Sequence, residues 1–248
     1  MSELDGCVVV VTGAGRGLGA ALAIAFAQAG CTMIICGRNI DALRHTATDI
    51  IERSDRQCDT VLLDLANAES VTAAVGAIKA GHQKIDILIN NGAMWLEARS
   101  EPYSMEEVVG AINSAVSGTF LLTQGLLPEL NRSLRPDIVT IGSTSGLPGA
   151  ALQSVSVPFY AAKRAQAALA DGFRQQLLET PVRSIIVNPP DLDDISPLQP
   201  EWERSARRTK SERATNRDVV EAVMYAVTRP RNINLSITID SDNGGIFS

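Results

Sequence analysis

The chain has 248 residues, 45% of them apolar and 20% charged, a mixture that supports one sizeable folded domain and excludes a disordered chain. Lys and Arg total 22 against 28 Asp and Glu, and the net charge of -6 offers no basic footprint for nucleic acid or anionic lipid. The start, MSELDGC, lacks the basic residues and cleavage site of a signal peptide, and no apolar run approaches the ~20 residues of a membrane span, so a cytoplasmic protein is expected.

Short apolar runs alternate with longer helical patterns along the whole chain. Strand CVVVV (7–11) leads to a helix near 17–29, TMIIC (32–36) to one at 39–53, and DTVLL (59–63) to one at 68–80. IDILI (85–89) precedes a long pattern at 104–132, DIVTI (137–141) a helix at 158–180, VRSIIV (182–187) a helix at 215–228, and LSITID (235–240) is the last strand. Ser104 with Glu107, and Thr215 with Asp218, each place an acceptor at a helix start and an acid three residues on. Continuous apolar strands separated by helices predict crossover units. The expectation is one α/β domain over 1–248, a Rossmann-like doubly wound parallel sheet of about seven strands with helices on both faces. The irregular stretch 191–212 is too long for a passive connection and is expected to be a flap over a site. Cys7, Cys31, Cys36 and Cys58 fall in or beside strands and are read as reduced packing residues. His45 and His82 lack ligand spacing, so no metal is expected.

TGAGRGLG (12–19) sits between the first strand and the first helix. Glycine there lets the backbone turn tightly and approach a pyrophosphate, which the free N–H groups and dipole of the helix end attract. A tight turn alone would use glycine too, but the strand, turn and helix context favours the phosphate.

The same residues resemble the TGxxxGxG loop of the short-chain dehydrogenase/reductase family, and the likeness covers essentially the whole chain. Gly13, Arg16, Gly17, Leu18 and Gly19 are then expected to contact the cofactor, and Asp64 and Leu65 match the pair that meets the adenine. NNGA (90–93) resembles the NNAG turn with its last two letters exchanged, which places Asn90 and Asn91 among the cofactor residues. Asn113 matches the family's helix asparagine, a link in a proton-relay water chain, and Ser143 its catalytic serine, a hydrogen-bond partner of the carbonyl oxygen. The Pro-Gly turn after the sixth strand appears as Pro189 and Pro190; Pro189 is carried over as a cofactor contact, and Asp194 falls where a threonine often holds the nicotinamide amide.

At the end of the second strand an acid would accept from a free ribose 2'-hydroxyl, whereas arginine favours a 2'-phosphate. This chain has Gly37 and Arg38 with no acid, and Arg16 supplies a second positive charge, so NADP(H) is the expected cofactor.

The resemblance implies a tyrosine four residues before a lysine. The lysine holds the nicotinamide ribose and lowers the phenol's pKa, and the phenol gives its proton to the substrate carbonyl. Tyr160 lies three residues before Lys163 and four before Arg164. From Lys163 the positions six, ten and fourteen further on are Leu169, Phe173 and Leu177, a core-facing row, so Lys163 is taken as the family's lysine. Phe159 then stands four residues before it. Two readings are open. In the one adopted, the 17-residue separation of Ser143 and Tyr160 lets the helix start shift and brings Tyr160 into the cleft as acid/base. In the other, Phe159 holds the position and Tyr160 points elsewhere.

The expected activity is NADP(H)-dependent interconversion of a ketone or aldehyde with an alcohol, the substrate being a small molecule, and the family likeness implies a homodimer or homotetramer. The alternative is a catalytically impaired dinucleotide-binding or regulatory protein. Trp95, Met94, Leu147, Pro148 and Trp202 are candidate apolar substrate contacts.

Overall fold

The computed structural model describes residues 3–152 and 154–246; residues 1–2 and 247–248, at the ends of the expected domain, lie outside the described residues. β1 (Val8–Thr12), β2 (Thr32–Gly37), β3 (Cys58–Leu62), β4 (Ile87–Asn90), β5 (Asp137–Ile141), β6 (Arg183–Asn188) and β9 (Ser236–Thr238) form one sheet in the order β3-β2-β1-β4-β5-β6-β9. Every pairing in it is parallel. The seven expected strands are all present, with ends displaced by a few residues. β7 (Leu192–Asp193) and β8 (Ala214–Thr215), which the sequence pattern does not announce, pair separately.

Strand residues alternate between two apolar layers. Val9 and Val11 face one layer with Leu22 and Phe26 of α1 (Gly17–Gln28), Leu43 and Ile50 of α2 (Ile40–Ser54), and Val219 and Val223 of α8 (Asn216–Val227). Val10 faces the other, with Val71 and Ile78 of α3 (Ala68–Gly81), Leu122 and Leu126 of α5 (Gly118–Leu130), and Phe173 of α6 (Val157–Gln176). Burial on both faces is why the strands read as unbroken apolar runs.

The long pattern at 104–132 is interrupted. α4 (Met105–Ile112) and α5 are joined through a π-helical turn at Asn113–Ser117, and a Cβ on Gly118 at its end would collide with the Leu65 carbonyl. Both expected capping boxes form, Ser104 with Glu107 and Thr215 with Asp218. At the strand ends away from the site, the buried Arg183 donates Nε and Nη2 to Asp137, each at 2.8 Å, and Arg231 Nη1 donates to the same carboxylate at 2.6 Å. Cys7, Cys31 and Cys36 are buried free thiols, and burial pushes Cys31, Cys36 and the half-buried Cys58 up to about 12. Among the described residues no helix is long and apolar enough to cross a membrane.

Candidate active site

The strand order reverses between β1 and β4, so the loops beyond their carboxyl ends part, as ligand sites in such sheets require. The cleft between them has a volume of about 600 Å³ and is lined by Gly13, Arg16, Arg38, Asp64, Leu65 and Met94, among others. Gly13 has φ +69°, and a Cβ there would stand 2.9 Å from the Gly92 Cα. A Cβ on Gly19 would collide with the Gly13 carbonyl. Glycine is therefore needed to bring the loop this close to β4. The residue before α1, Arg16, makes no side-chain hydrogen bond to the helix, which leaves the first-turn N–H groups without a side-chain acceptor from their own cap. Leu18 stays half-buried against the core beneath.

Arg16 and Arg38 are both exposed at this cleft, and among the described residues neither enters an ion pair. Asp64 and Leu65 line the same space; Asp64 Oδ1 accepts from the Ala66 N–H at 2.9 Å, which tightens the turn after β3. Asn90 and Asn91, expected among the cofactor residues, hold groups of the protein itself with their amides. Asn90 Nδ2 donates to buried Thr123 Oγ1 at 3.0 Å, and Asn91 Nδ2 donates to the Thr12 carbonyl at 2.9 Å. Their amides brace the floor of the cleft, and Gly92, Ala93 and Met94 form its lining.

Helix α6 carries both candidate aromatic residues, and their contacts differ from those of the reading adopted from the sequence. The Tyr160 hydroxyl donates to the Ala150 carbonyl at 3.0 Å, and its half-buried ring packs on a small cluster of Leu96, Ala111, Val155 and Phe159. Phe159, buried, takes the place facing the lysine, its ring centroid 5.8 Å from Nζ and 4.7 Å from the ring centroid of Trp95. The cause is local and tertiary at once. Ser156 caps α6, its Oγ accepting from the Phe159 N–H at 3.2 Å, and Ser156 is itself tied through its N–H to the Leu96 carbonyl at 3.2 Å. Val155 bridges Glu97 in antiparallel fashion. These contacts fix the start of α6 against the segment around Leu96 and Glu97.

Lys163 is buried, and Nζ donates to the Ile141 carbonyl at 3.1 Å and to Gln166 Oε1 at 2.8 Å. Burial lowers its pKa to about 8, because the charged form loses its hydration and gains no carboxylate in exchange. Ser143 caps the short 3-10 turn Thr144–Gly146, its Oγ accepting from the Ser145 N–H at 3.1 Å. Pro189 is buried and its carbonyl accepts from the Thr144 N–H at 2.9 Å, so the turns after β5 and β6 are joined. Asn113 is half-buried with its Oδ1 accepting from Ser117 Oγ at 3.5 Å, and the helix residue that lines the cleft is Ser114. Ser114 Oγ accepts from the Met94 N–H at 3.0 Å. Sequence reasoning passed over Ser114 and Gln166; the latter is legible as the residue three after Lys163 on one helix face.

The stretch 191–212 contains β7 and a short helix, α7 (Glu201–Ser205), and is fastened by Arg208 to Asp193 at 2.7 Å. Trp202 is half-buried against the main core, and Arg217 Nη1 donates to its carbonyl at 2.8 Å. Trp95 is exposed above Phe159.

Residues 7–205 match the protein family described as short chain dehydrogenase. An uncharacterized oxidoreductase of Staphylococcus saprophyticus is 28% identical over 236 residues, 95% of this chain and 97% of the relative, and one of Staphylococcus aureus strain N315 is 27% identical over the same shares. Among solved structures, L-sorbose reductase from Gluconobacter frateurii, complexed with NADPH and L-sorbose, superposes with a TM-score of 0.82 at 19% identity over 98% of this chain and 97% of that one. The Pseudomonas aeruginosa RhlG/NADP active-site complex gives 0.82 at 22% identity over 97% of each chain.

Proposed function

The chain belongs to the short chain dehydrogenase family and is one of its oxidoreductases, and we propose that it works with NADP(H), interconverting a ketone or aldehyde with the corresponding alcohol. The observation that carries the cofactor half is the pair of guanidiniums, Arg16 and Arg38, free of ion pairs among the described residues, in a cleft lined by Arg16, the residue before the first turn of α1. Glycines that leave no room for a Cβ, and N–H groups without a side-chain cap, fit a phosphate-bearing group there. Arg38 and Arg16 would hold the 2'-phosphate, the N–H groups of α1 the pyrophosphate, and Asp64 and Leu65 the adenine.

When bound, the nicotinamide supplies or accepts the hydride at the carbonyl carbon. The chain's own task is the proton. Phe159 carries none, and the Tyr160 hydroxyl is engaged with Ala150. Lys163 is the acid in this reading: two of its N–H donors are held by Ile141 and Gln166, and the third passes its proton to the carbonyl oxygen, leaving a neutral amine that burial already favours. Ser143 accepts from Ser145 and keeps its own hydroxyl proton free to orient the same oxygen. The stretch 191–212 closes over the site, the working form is a homo-oligomer formed through the face bearing exposed Met105, Val109 and Leu121, and the protein acts in the cytoplasm.

One observation, Phe159 in the place of a phenol, favours a second reading, a dinucleotide-binding protein with little or no turnover. A panel of ketones and aldehydes assayed with NADPH and NADH separates the two. Slow consumption of NADPH that falls as pH rises through about 8, where Lys163 loses its proton, supports the first. NADPH binding without consumption supports the second, and absence of NADPH binding overturns both.

A further inference from the structure

One side chain beside the glycine loop does not suit a phosphate-bearing ligand. Asp194 follows β7, and its Oδ2 and Oδ1 lie 3.3 and 3.5 Å from the position that a Cβ on Gly17 would take. Gly17 is the first residue of α1, with φ +58°, so the carboxylate stands over the helix end whose N–H groups carry the partial positive charge. It is exposed, and it is aimed rather than loose: Asn216 Nδ2, at the first position of α8, donates to Asp194 Oδ1 at 2.5 Å. Among the described residues no ion pair offsets it. Arg16, immediately before Gly17, makes no ion pair with it among the described residues, and the nearby Arg208 is paired with Asp193.

We propose that Asp194 is an internal competitor for the pyrophosphate seat, a fixed negative charge that lowers the affinity of this chain for dinucleotides. The inference rests on the reading of the cleft as an NADP(H) site. Two like charges brought within a few ångströms in a partly shielded cleft repel by several-fold to a hundredfold in a binding constant. Without ligand the same carboxylate supports the helix end, so its two effects have opposite signs. The charge weakens binding and steadies the free protein.

Asp194→Asn keeps the shape and the acceptor toward Asn216, and Asp194→Ser removes the same charge without the amide. Both are expected to bind NADPH at least about tenfold more tightly than the wild-type chain in a fluorescence titration, the ~1.4 kcal/mol of one decade. The gap should narrow as salt is raised from 50 to 500 mM, since exposed charges are screened, and a purely packing role for Asp194 would not respond to salt. Thermal melts check folding, with the free variants no more stable than wild type and their shift on adding NADPH larger. The fragment 2'-AMP, which carries the adenosine 2'-phosphate and lacks the pyrophosphate, should compete equally well for all three proteins. NADPH affinities that are equal in wild type and both variants, or a gap indifferent to salt, overturn the role of Asp194. If neither NADPH nor 2'-AMP binds any of the three, the cofactor reading is overturned and this inference with it.

Discussion

Phe159 and Lys163 face each other across one turn of α6, with the lysine Nζ 5.8 Å from the ring centroid. An aromatic ring and two neutral acceptors surround the amine, so its charge is unpaired by any carboxylate and its pKa falls from 10.5 to about 8. Between those values an unfolded chain keeps the proton and the folded chain releases it. Proton uptake on unfolding means that stability rises with pH across the window from about 8 to 10.5, by an amount on the order of 3 kcal/mol. Urea titrations at pH 7.5 and 10 check the sign. Lys163→Met should be more stable than wild type at the lower pH and should flatten the dependence.

The paired arginines of the cleft make a separate prediction. NADPH should bind at least tenfold more tightly than NADH, about 1.4 kcal/mol, and Arg38→Ala should remove most of that preference while leaving NADH affinity nearly unchanged. Isothermal titration with both cofactors measures it. Equal affinities in the wild-type chain contradict the assignment of Arg38 and Arg16 to a 2'-phosphate.

What the sequence made legible follows from which interactions decide each feature. The strands and the glycine loop are written in residues that neighbour one another, Val8 to Thr12 and then Gly13 to Gly19, and they stand where expected. The helix register was also written locally, in the row Leu169, Phe173 and Leu177, which is buried or packed on the core as that row requires. The orientation of Tyr160 was not, because it depends on Val155 and Ser156 pairing with Glu97 and Leu96, residues about 60 positions away in the chain. The hydrogen bonds of Asn90 and Asn91 were not legible for a related reason. Their amides find Thr123 and Thr12, partners that only the folded sheet supplies. The π-helical turn after Ile112 lies within a continuous helical pattern, and a one-residue widening leaves no trace in apolar spacing.

At the far end of the sheet, Asp137 accepts from Arg183 and Arg231 and is fully buried. Asp137→Ala leaves Arg183 buried with its charge uncompensated, and a loss of about 3–5 kcal/mol is expected. The chemical-denaturation midpoint should fall accordingly, while NADPH affinity measured well below the melting temperature stays unchanged, because this pair lies at the strand ends opposite the cleft.

Phe159 sets an aromatic ring without a proton four residues before the buried Lys163, where, in the function proposed, a phenol would act. The most direct measurement compares steady-state NADPH oxidation by wild type, Phe159→Tyr and Tyr160→Phe on one carbonyl substrate. Phe159→Tyr restores a hydroxyl four residues before Lys163 and should raise turnover by roughly 10²–10⁴. Tyr160→Phe should leave turnover nearly unchanged and cost about 1 kcal/mol of stability, the hydrogen bond to Ala150. A loss of turnover in Tyr160→Phe, with no gain in Phe159→Tyr and NADPH binding intact in both, would contradict the account and return the acid/base role to Tyr160.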